Sequence, residues 1–82
     1  MSTKTWTPSS DRVTVALNAN FQMEAMVNAL IAARSAGDPE NLEFLILGIG
    51  TRLKELTGVM TSALSDPGAQ PAALNQKLGY GT

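Results

Sequence analysis

From Leu42 to Ala63 the apolar residues recur at alternating steps of four and three: Leu42, Ile46, Ile49, Leu53, Leu56, Met60 and Ala63. This is a heptad seam, which the period-two alternation of a strand does not produce. It predicts one amphipathic helix from about Pro39 to Ser65. A second stripe, Ala19, Met23, Met26, Leu30 and Ala33, follows the same steps. Val27 and Ile31 broaden it to a core-facing face of bundle type. It predicts a helix that starts at an N-cap of Asn18 or Asn20 and ends near Ser35 or Ala36.

Gly37-Asp38-Pro39-Glu40 separates the two. Gly37 suits the left-handed residue just past a helix end. Asp38 is a preferred N-cap, and Pro39 at the first helical position loses no hydrogen bond. Glu40 and Glu43 then lie near the positive end of the helix dipole. So short a connection makes the helices antiparallel neighbours, and the middle of the chain is a helical hairpin.

The flanks are less regular. Val13, Val15 and Leu17 alternate with Thr14 and Ala16, which favours a short extended segment; the alternative is a helix that starts early, after Thr7-Pro8. A lone strand needs a partner, and the nearest one is the same strand of a second chain. Residues 1–12 read as a flexible arm, in which Trp6 is either a bystander or an anchor on a partner or on the bundle. Residues 13–65 form the hairpin domain and 66–82 a tail. Asp66-Pro67-Gly68 stops the second helix. Pro71 to Leu78 has the makings of a short third helix ending at Gly79.

Composition changes the picture in one respect. A chain of 82 residues holds one small domain whose core alone is marginal. Small domains add disulfides, a metal or a partner chain. With no Cys and no His, disulfides and zinc fall away and oligomerisation remains. The net charge of −1 provides no basic excess for nucleic acid. The longest apolar run, Phe44 to Leu47, is too short to span a bilayer, and nothing after Lys4 resembles a signal peptide; the expected compartment is the cytoplasm.

Candidate chemistry is sparse. Leu47-Gly48-Ile49-Gly50-Thr51 has the look of a phosphate loop after a strand, but no third Gly and no Lys-Ser/Thr follow, so the glycines are expected on a crowded helix face. Gly48, Thr51, Glu55, Gly58 and Ser62 share that face by spacing. The pair Glu40 and Glu43 is explained by the helix dipole, and Ser nucleophiles lack a His base. Arg34, Arg52 and Lys54 are expected to be solvated or salt-bridged rather than a phosphate patch. Met23 and Met26 are expected in the core. No catalytic, cofactor or metal site is expected, and the protein is not expected to be an enzyme.

A hairpin has two apolar stripes but one internal interface. Val27, Ile31, Leu45, Leu47 and Val59 are left over, and several exposed residues of that kind form a sticky surface. The expected architecture is therefore all-α: a hairpin with a possible N-terminal strand and a short C-terminal helix, dimerising through a two-fold axis into a four-helix bundle. In layout, a helix, a tight capped turn and a second helix, the chain resembles small plasmid-type regulatory proteins whose helical hairpins dimerise into antiparallel four-helix bundles. The resemblance implies a homodimer and carries over no functional residue; the basic face of such proteins has no counterpart here. The function expected is a non-enzymatic protein–protein interaction module, a small adaptor, regulator or inhibitor. Its interface would use Val27, Ile31, Leu45, Leu47, Val59 and Trp6. The alternative is a nucleic-acid-associated helical regulator.

Overall fold

The computed structural model describes residues 6–37 and 39–80. Three helices account for nearly all of them: α1 Ser10–Ala36, α2 Pro39–Ser65 and α3 Pro71–Leu78. The chain is all-helical, and α1 and α2 form the hairpin. Each has 27 residues and so runs for about 40 Å.

The N-terminal strand is not present: Val13–Leu17 lies within α1, and α1 begins inside the stretch expected as an arm. Ser9 is its N-cap, with the side chain accepting from the Arg12 N–H at 3.4 Å. Thr14 satisfies its own hydroxyl by donating to the Ser10 carbonyl at 3.0 Å. The alternation of Val13, Val15 and Leu17 is accidental. Only Val15 is buried, at 1% exposure, while Val13 and Leu17 are 40% and 50% exposed. Val15, Ala16 and Ala19 follow helical spacing and pack on α2, which outweighs the few tenths of a kcal/mol that β-branched residues lose in a helix. With no strand there is no strand pairing across a two-fold axis.

Gly37 ends α1 at φ 74°, its N–H bonded to the Arg34 carbonyl. The expected N-cap, Asp38, lies outside the described residues. α2 then runs unbroken through Gly48, Gly50 and Gly58. It stops where expected: the Asp66 side chain accepts from the Gly68 N–H at 3.0 Å, holding the turn that Pro67 forces. α3 starts with Pro71 in its first turn and ends at Gly79, φ 90°. There the Gly79 N–H reaches the Gln76 carbonyl and the Tyr80 N–H the Asn75 carbonyl, the paired bonds of a Schellman cap.

The core sits at the open end of the hairpin, here called the base, opposite the Gly37 turn. Val15, Ala16 and Ala19 of α1 meet Leu56, Val59 and Ala63 of α2, and Leu74 and Leu78 of α3 close the cluster. The alanines let the helices approach. Met23, Met26 and Met60 fill its margin, as core residues. Along the heptad seam, Leu56 and Ala63 are fully buried, whereas Ile46, near the turn, is 53% exposed.

Candidate interaction surface at the hairpin tip

The two ends of the hairpin are built differently. At the base, Arg12 enters the angle between α2 and α3 and is only 8% exposed. Its Nη1 donates to the carbonyls of Ser62 and Ala63 at 3.4 Å and of Asp66 at 2.7 Å. Its Nη2 donates to the carbonyls of Pro67, at 3.0 Å, and Ala69. The α2 C-terminus has no basic residue in its own last turn, and a cation from another helix takes that place at the negative end of the dipole. The Trp6 ring lies over the same guanidinium, its centroid 5.2 Å from Cζ.

A second arginine repeats the arrangement on α3. Arg52 Nη2 donates to the Lys77 carbonyl at 2.8 Å and to Gln22 Oε1 at 3.3 Å, while Gln22 Nε2 donates to the Leu78 carbonyl at 2.8 Å. Arg52 also pairs with Glu55 at 3.3 Å. Arg52 is thus salt-bridged, and its main task is to dock α3. The apolar periodicity of the sequence does not single out Arg12. The available signal was an α2 C-terminus lacking its own cation opposite the start of an antiparallel α1.

Among the described residues the tip has no such closure. Leu30, Ile31, Arg34, Leu42 and Ile46 line an apolar hollow of about 250 Å³ between α1 and α2. Ile31 is 60% exposed and Val27, one turn away, 45%. On the outer side of α2, Phe44 and Leu47 are 74% and 71% exposed and line a second hollow with Glu43 and Ile46. No side chain of α3 lines either hollow.

The residues expected at an interface therefore divide. Val27, Ile31 and Leu47 lie exposed at the tip, Leu45 is half-buried there, and Trp6 sits on Arg12 at the opposite end. Val59 is a correction. It is 4% exposed and belongs to the core, because the side of α2 that carries it faces Leu74 and Leu78. The crowded glycine face is also a correction: a Cβ added at Gly48, Gly50 or Gly58 meets nothing within 4 Å. Gly58 and Ser62 instead border an open cleft beside Lys77 of α3.

Among the described residues, Arg52–Glu55 is the one ion pair; Glu24, Arg34, Glu43 and Lys54 are exposed and form none. No described helix is long and apolar enough to cross a membrane. No protein-family model, curated protein or solved structure matches the chain.

Proposed function

We propose that the protein is a non-enzymatic interaction module that works as a homodimer, two hairpins joined through their open faces into a four-helix core. The observation that carries this reading is the tip. Ile31 and Ile46 stand exposed around a hollow shared with Leu30 and Leu42, Val27 is exposed one turn from Ile31, and no described residue covers them. Burial of one such side chain is worth roughly 1.5–3 kcal/mol, so a second copy with the same face gains on both sides of a two-fold axis. The outer residues Phe44 and Leu47 remain available to a further protein partner, in the manner of an adaptor or inhibitor. Against the nucleic-acid alternative stands the placement of the cations: Arg12 and Arg52 are engaged on helix C-termini, and Arg34 lies on the apolar face.

Light scattering over a dilution series, with far-UV circular dichroism on the same fractions, tests the reading. The expected result is a helical dimer that dissociates on dilution. A folded monomer at every concentration overturns it, and salt-dependent retention on heparin would favour the nucleic-acid regulator.

A further inference from the structure

We infer that the two hairpins of the dimer lie side by side with their tips at the same end, α1 of each packed on α2 of the other. This rests on the homodimer reading and adds its orientation. The argument is electrostatic. Cross-helix bonds set the register of the hairpin: Arg12 reaches Ala63, Gln22 meets Arg52, and Leu30 shares its hollow with Ile46. In that register Glu24 of α1 and Lys54 of α2 lie within one turn of the same level, both near the middle of their helices. At 100° per residue each falls on the outer flank of the uncovered face.

Two orientations bring that face against its copy. With tips at the same end, α1 lies over α2 of the partner, so Glu24 of each protomer comes alongside Lys54 of the other, and the pair forms twice. Toward the tip, Arg34 likewise comes within reach of Glu43 across the interface. With tips at opposite ends, α1 lies over α1. A two-fold axis through the middle then sets Glu24 against Glu24 and Lys54 against Lys54, and carries Arg34 onto the apolar base near Val13. One orientation pairs four charges that form no ion pair among the described residues; the other opposes like charges and strands a cation.

The chain has no cysteine, so a single spin label at Ser35→Cys reports the tip cleanly. With helix axes 8–10 Å apart, tips at the same end place the labels roughly 20–30 Å apart, and tips at opposite ends of helices about 40 Å long place them about 40 Å apart. The expected result is the shorter distance. Charge reversal gives a second readout: E24K alone and K54E alone each raise the dimer dissociation constant about tenfold, and the double variant returns to within about threefold of the parent. A dimer with the longer distance, or charge reversals that do not compensate, overturns the orientation and leaves the dimer standing. A monomeric mass overturns both.

Discussion

The base and the tip of this hairpin are made of similar apolar residues at similar spacing, yet one is closed and the other open. At the base Leu56 is fully buried; two turns or more toward the tip, Ile46, Phe44 and Leu47 are mostly exposed. The difference is a third layer. Two helices bury one seam between them and leave each a flank. At the base α3 covers that flank with Leu74 and Leu78, held there by Arg12 at its leading turn and by Arg52 and Gln22 at its end. At the tip no described element supplies such a layer. Intramolecular burial and a surface for association thus occupy opposite ends of one pair of helices.

The comparison breaks first at the base. Leu56→Ala removes a side chain with no exposure from the core cluster, and is expected to destabilise the fold by about 3 kcal/mol, within the usual range for buried leucines. Thermal denaturation by circular dichroism checks this; for a domain of this size the loss corresponds to a midpoint lowered by on the order of 15 °C. A change under a third of that would mean that the base is not the seat of stability.

Arg12→Ala comes next, at about 2–3 kcal/mol, because it strips donors from the carbonyls of Ser62, Ala63, Asp66, Pro67 and Ala69 at once. Arg12→Lys is expected to recover less than half, since an ammonium cannot span carbonyls on two sides of the turn as a planar fork does. Full rescue by Lys would reduce the role of Arg12 to its charge alone.

Ile31→Ala sharpens the contrast. In dilute solution it is expected to cost under about 1 kcal/mol, since the side chain is already 60% exposed. As concentration rises, the parent should gain thermal stability through association while the variant lags behind it. Equal concentration dependence in the two would remove Ile31 from the association surface.

Local rules were enough for the hairpin itself. The heptad seam, the left-handed Gly37, the Pro67 stop and the Pro71-to-Gly79 frame of α3 each follow from residues within a few positions. What escaped was non-local. Arg12 acts on carbonyls more than fifty positions away, and Val59 counts as surplus until the docking side of α3 is known. Val13 to Leu17 misled for a related reason. Five residues cannot separate period two from a helix whose buried set is Val15, Ala16 and Ala19, and the capping by Ser9 lies just outside that window. The open tip was legible as surplus apolar residues, but which of them the fold would absorb was not.

The smallest effect belongs to Trp6, and it tests whether the base extends beyond α1. Its ring is 40% exposed and stacks on a guanidinium that is itself held by carbonyls, so Trp6→Ala is expected to cost about 0.5–1 kcal/mol. Trp6 is the one tryptophan of the chain, so its fluorescence reports this end alone. If the ring is a working part of the base, its emission shifts at the same denaturant concentration at which helicity is lost, and Arg12→Ala moves both transitions together. An emission change that precedes the loss of helix would show Trp6 leaving Arg12 first, and would place the boundary of the cooperative base at Ser9 instead.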